Sequence, residues 1–182
     1  AVKSQMELEI LKKAGSITVK IFAALKKKIR AGVTEADVAW RIRELAHGYG
    51  AEGMAFETIV GFGKNSASPH HQTGKTKLKR GDVIQLDFGV DYKGYKSDMS
   101  RVLFFGKPSE KARKAFKKVL EMQAGALKEV SQGARAAYLA KKYESKTCGC
   151  GSEKGIVSVA HGLGHGVGLE IHEAPTLKPA SK

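Results

Sequence analysis

Cysteine is almost missing from this sequence: its 182 residues hold two, in Cys148-Gly149-Cys150. So tight a pair makes no disulfide framework, and without a second pair it cannot complete four ligands around a soft metal, so both read as free thiols in a loop. Long apolar runs are missing too. The longest uncharged stretch, residues 155–169, carries two histidines and five glycines and falls short of the ~20 apolar residues of a membrane span. The opening Ala1-Val2-Lys3-Ser4 lacks the basic-then-apolar pattern of a secretory signal, so a reducing, cytoplasmic setting away from membranes is expected. Acidic residues are few, 18 against 32 lysines and arginines, for a net charge of +14. Hydrophobic residues at 42% exclude a disordered chain. The length suits one domain, residues 1–182, with a core of its own.

Basic residues recur at Lys12, Lys13, Lys26, Lys27 and Lys28, over 75–80, and at Lys111, Arg113, Lys114, Lys117 and Lys118. On helices this spacing reads first as solvated faces and second as a patch that meets nucleic acid. Ser4 followed by Glu7 has capping-box spacing, and apolar residues at helical intervals extend a first helix to Arg30. Thr34 and Asp37 start a second helix, with Gly48 as its stop, and a third runs from Ser109 to Gly133. Residues 56–62, 83–90 and 97–105 are rich in branched and aromatic side chains and read as strands. No helix pattern is legible over 143–155. Without regular strand-helix alternation, the expected class is α+β with an antiparallel sheet.

Asp87 lies in a stretch where Ile84, Leu86 and Phe88 alternate with Gln85, Asp87 and Gly89, which puts it on the polar face of its strand. After a turn at Asp91-Tyr92-Lys93-Gly94, the returning strand carries Asp98, expected close to opposite Asp87. Two carboxylates so placed need a shared proton or a cation, and a divalent metal is the natural cation. The competing reading is an exposed hairpin whose acids are solvated or paired with Arg101 and Lys96.

The strongest local feature is the block His161-Gly-Leu-Gly-His165-Gly-Val-Gly-Leu-Glu170-Ile-His172-Glu173. Four glycines at alternate positions make a helical zinc motif improbable, and no glutamate follows the first histidine. In an extended chain His161 and His165 share a face, and the glycines let backbone pass close to a ligand or another strand. A glycine-rich strand with satisfied core histidines remains the alternative. Pro69-His70-His71 precedes the Asp87 strand by a loop. Gly74-Lys75-Thr76 has the ending of a phosphate loop, but the required earlier glycine is Pro69 and no helix pattern follows.

Together, Asp87-Phe-Gly, Ser97-Asp98-Met-Ser-Arg101, Pro69-His70 and the 161–173 block resemble the pita-bread metallopeptidases: methionine aminopeptidase, Xaa-Pro aminopeptidase, prolidase and relatives such as creatinase. The order and approximate spacing agree over nearly the whole chain, and the last block is most similar to the proline-specific branch. The resemblance implies a curved antiparallel sheet with helices on its outer face. It implies two divalent ions, manganese first and zinc, cobalt or iron as alternatives, with Asp87 chelating one, Asp98 bridging both and His165 ligating one. A water bridging the ions would be the nucleophile. His70 and His172 match the family's non-ligand histidines, which bind substrate and stabilise the tetrahedral intermediate, and His161 lines the pocket.

The family's two glutamate ligands belong after His172-Glu173, yet residues 174–182 contain no acidic residue. The expectation is a C-terminally incomplete domain that by itself shows negligible peptidase activity and leaves Val157, Val159 and Leu163 exposed at a sheet edge. The resemblance implies a metallo-exopeptidase acting on peptides with proline at the second position, a homodimer being among the expected assemblies. The alternative is a non-catalytic pita-bread domain that binds peptides, histones or RNA, the one reading in which nucleic acid is a partner.

Overall fold

A computed structural model describes residues 2–147 and 162–178, with the side chains of 144–147 left aside. It divides into two compact units, Ala1–Pro108 with Val167–His172 and Ser109–Gly166 with Glu173–Lys182. Among the described residues, no helix is long and apolar enough to cross a membrane.

The first unit opens with α1 (Gln5–Lys26), started by the foreseen capping box: the Ser4 hydroxyl accepts from the Glu7 amide and the Glu7 carboxylate accepts from the Ser4 amide at 2.7 Å. Ala14, Ile17, Thr18, Ile21 and Leu25 form its buried stripe. The helix stops at Lys26, short of the expected Arg30, because Leu25 is its last buried position and Gly32, at φ +85°, soon turns the chain. A second capping box, Thr34 with Asp37, begins α2 (Glu35–Gly48). The helix ends at Gly48, as expected. The left-handed residue that does the turning is Gly50, at φ +86°.

Six strands follow: β1 (Gly53–Met54), β2 (Ile59–Phe62), β3 (Val83–Phe88), β4 (Val90–Tyr92), β5 (Tyr95–Lys96) and β6 (Met99–Phe104). They pair antiparallel in the orders β2-β3-β6 and β1-β4-β5. The strand expected over 83–90 is therefore interrupted at Gly89. β4 and β5 are joined by the two residues Lys93 (φ +51°) and Gly94 (φ +79°), both left-handed as a type I′ hairpin turn requires. Ile84, Leu86 and Phe88 are buried while Val83, Gln85 and Asp87 are half-buried, so the alternation is as read. The inward residues join Ile17 and Ile21 of α1 and Val38 and Ile42 of α2 in one cluster. Each such side chain contributes about 1.5–3 kcal/mol of burial free energy.

In the second unit Ser109 caps α3 (Glu110–Glu129) through its hydroxyl, and the helix ends before the expected Gly133, which takes a φ of +85° in the turn beyond. A helix not foreseen, α4 (Ala136–Thr147), returns along it. Ala126, Leu139 and Tyr143 form its core with Met122, Leu163 and Leu177. Leu163 is therefore packed rather than exposed as expected, while Val157, Val159, Cys148 and Cys150 lie outside the described residues. Strands β7 (Gly164–Gly166) and β8 (Glu173–Leu177) pair antiparallel. The glycines serve that pairing: a Cβ on Gly166 would stand 2.5 Å from the Ala174 carbonyl oxygen, and one on Gly162 2.9 Å from that of Leu177.

Candidate active site

Asp87 projects from the second face of β3, flanked by Ile59 on β2 and Ser100 on β6. The Ser100 hydroxyl donates to its Oδ1 at 2.9 Å. Neither cation of the solvated-hairpin reading reaches it. Lys96 pairs with Asp91, and Arg101 donates to the Ser100 carbonyl and lies over the Phe22 ring, 5.9 Å from its centre. Among the described residues Asp87 has no ion-pair partner, so its half-buried carboxylate is left with a single neutral donor.

Asp98 is not opposite Asp87. The two-residue turn sets Tyr92 against Tyr95, and the same register carried along the strands sets Asp87 against Ser100 and Phe88 against Met99. Asp98 comes just before β6, so the same register carried one residue further sets it level with Gly89 rather than with Asp87. Gly89 makes this approach sterically accessible. A Cβ there would stand 1.7 Å from the Ser97 carbonyl oxygen, so only glycine lets the Asp98 segment cross the end of β3.

Thr18, which the sequence did not single out, and Ser97, quoted only as part of its motif, hold that segment. The buried Ser97 hydroxyl accepts from the Val90 amide at 2.9 Å and lies 2.6 Å from the Thr18 hydroxyl. Thr18 also donates to the Ala14 carbonyl and Ser97 to the Val90 carbonyl, so the two hydroxyls join helix α1 to β4. Helix α1 thereby fixes the backbone beside Asp98. The signal was faint: Thr18 is a polar residue on an otherwise apolar helical stripe.

His70 is exposed on the loop between β2 and β3, which begins with a 3-10 turn at Gly63–Ala67. Its neighbour His71 reaches back to Glu35, the N-terminal residue of α2, at 2.9 Å. Burial pushes the Glu35 carboxyl up, but hydrogen bonds from His71, Asn65 and the amides of Phe62 and Gly74 outweigh this and hold it below the usual carboxylate range. Gly74, once a phosphate-loop suspect, is committed to that carboxylate.

The histidines of the glycine-rich block separate. His172 is exposed at the end of Val167–His172, a segment tied to the first unit where the Gly168 carbonyl accepts from the Lys96 amide at 2.8 Å, two residues before Asp98. His165 belongs to β7 in the second unit, opposite Thr176. His161 lies outside the described residues. His165 Nδ1 stands 2.9 Å from the Gly166 carbonyl, which can only accept, so Nδ1 carries the hydrogen and the lone pair of the neutral ring is on Nε2. That is the tautomer of a metal-binding imidazole held by a backbone carbonyl. Among the described residues, no three His, Cys, Asp or Glu side chains stand together as a complete ion site. Singly, however, the Asp87 carboxylate and the His165 imidazole are donor types that suit a divalent metal ion.

The profile of metallopeptidase family M24 matches residues 9–182. The Xaa-Pro dipeptidase of Pyrococcus furiosus is 37% identical over 177 residues, covering 97% of this chain and 50% of its own. Among solved structures, the X-Pro aminopeptidase of Thermotoga maritima superimposes with a TM-score of 0.88 at 37% identity, over 97% of this chain and 49% of its own. The prolidase of Pyrococcus furiosus gives 0.90 at 36%, over 97% and 52%. The chain spans about half the length of the curated relatives it matches. The α+β pita-bread fold expected from the motifs is the fold these neighbours share with it. With strand motif, histidine block and superposition in agreement, this chain belongs to metallopeptidase family M24.

Proposed function

We propose that these residues form part of a proline-specific exopeptidase that hydrolyses the N-terminal peptide bond of substrates with proline second. Asp87, Asp98 and His165 are the side chains that would hold divalent ions, manganese being the first choice for oxygen-rich ligation. When bound, such ions supply Lewis acidity to the scissile carbonyl and lower the pKa of a nearby water. His70 and His172 bind the substrate and donate hydrogen bonds to the developing oxyanion, and His161 lines the pocket. Exposed imidazoles suit that work because each ring offers a donor and an acceptor to an incoming peptide. The observation that carries the reading is the Asp87 carboxylate, half-buried on the sheet face with, among the described residues, only the Ser100 hydroxyl as donor. Residues 1–182 are read as one catalytic domain of that enzyme.

A second reading, a non-catalytic pita-bread domain that binds peptides, histones or RNA, draws on the net charge of +14. A binding surface alone gives no reason for the chain to carry Asp87, Asp98, His165, His70 and His172 in the family's order. The two are separated by assaying the native polypeptide that carries these residues on peptides with proline or alanine second, with and without manganese. Manganese-dependent release of the first residue, faster before proline, is expected. No hydrolysis at saturating manganese would favour the binding domain.

A further inference from the structure

Glu35 is the one charged side chain among the described residues that is wholly removed from solvent. A carboxylate persists there only if donors replace its water, and four do. Oε1 accepts from the Phe62 amide at 2.8 Å and Asn65 Nδ2 at 2.9 Å. Oε2 accepts from His71 Nε2 at 2.9 Å and the Gly74 amide at 3.1 Å. An ionised carboxylate only accepts, so Nε2 of His71 carries the hydrogen. These partners come from both ends of residues 62–74, the loop that carries His70. The position also suits a negative charge, since the first turn of a helix presents the positive end of its dipole.

The loop is seated on the sheet as well. Gly61 pairs with Gln85, two residues from Asp87 on the same face. A Cβ on Gly61 would stand 3.0 Å from the Asn65 carbonyl oxygen, so the 3-10 turn packs onto that face. Independently, the Thr73 hydroxyl accepts from the Val60 amide and donates to the Thr58 carbonyl.

We propose that Glu35 is a positioning residue: from the first turn of α2 it clamps both ends of residues 62–74 and thereby sets where His70 stands relative to the Asp87 face. The inference rests on the reading of His70 as a substrate-binding histidine. Glutamine in place of Glu35 keeps the shape but has a single acceptor oxygen, so one pair of donors loses its partner.

The test is a double-variant cycle in the manganese-loaded native polypeptide with a Xaa-Pro substrate, alongside amide exchange. Glu35→Gln should lower kcat about tenfold with KM within about threefold, and His70→Ala should lower kcat about a hundredfold. The combined variant should equal His70→Ala, because a residue acting through His70 has nothing left to position. The Phe62 or Gly74 amide should exchange faster in Glu35→Gln while α1 amides keep their protection. Losses that multiply in the combined variant, or an unchanged kcat in Glu35→Gln, overturn the inference. An undiminished kcat in His70→Ala overturns the reading of His70 and the inference with it, and is told apart because the amides still report the clamp. Should Glu35→Gln not fold, Asn65→Ala, which removes one donor, completes the same cycle.

Discussion

A single absent methyl group makes room for the acidic pair. The Ser97 carbonyl oxygen occupies the space a Cβ on Gly89 would need, and neither partner is the flexible end of a side chain. Gly89→Ala must push apart the two segments that carry Asp87 and Asp98. We expect it to lose at least the ~1–3 kcal/mol of an overpacked core, read as a lower urea midpoint; an unshifted midpoint would mean that the crossing is looser than described. The glycine was legible as part of Asp87-Phe-Gly, but its reason was not, because Ser97 arrives from the far side of a hairpin. The Asp87 face was legible because alternation is local. That Ser100 is the direct cross-strand partner of Asp87 was not legible, because register depends on the turn. Once Lys93 and Gly94 are the loop residues, Ser100 must face Asp87.

Elements that declare themselves within four residues were readable from sequence. Ser4 with Glu7 and Thr34 with Asp37 are reciprocal caps that need no distant partner. Helix α4 was not readable, since Leu139 and Tyr143 gain a core only from α3 and residues 163 and 177, with Gly125 leaving room for the Tyr143 ring. Glu35 was hidden for the same reason: its partners lie 27 to 39 residues onward. The bond it makes between α2 and the His70 loop carries a pH signature. Its carboxyl binds a proton less readily folded than unfolded, so the stability it contributes is whole above the ordinary value of 4.5 and is lost as pH falls through the lower folded value. Urea midpoints of the wild type should drop in that acid range, and those of Glu35→Gln should drop less. Equal pH slopes in the two proteins would show that Glu35 holds no proton-linked stability.

At the scale of the molecule, the family and fold were legible because the motifs run in order along nearly the whole chain, and the superposition covers 97% of it. What could not be read was how the candidate ligands divide: Asp87 and Asp98 belong to the first compact unit and His165 to the second. The central claim is that a divalent ion is the missing partner of the Asp87 carboxylate. Calorimetric titration of manganese into the native polypeptide tests it most directly, comparing the wild type with Asp87→Asn, His165→Ala and His172→Ala. Replacing either proposed ligand should weaken binding at one site by about tenfold or more, whereas His172→Ala should leave affinity within about twofold while turnover falls. Manganese binding undiminished in Asp87→Asn would contradict the account.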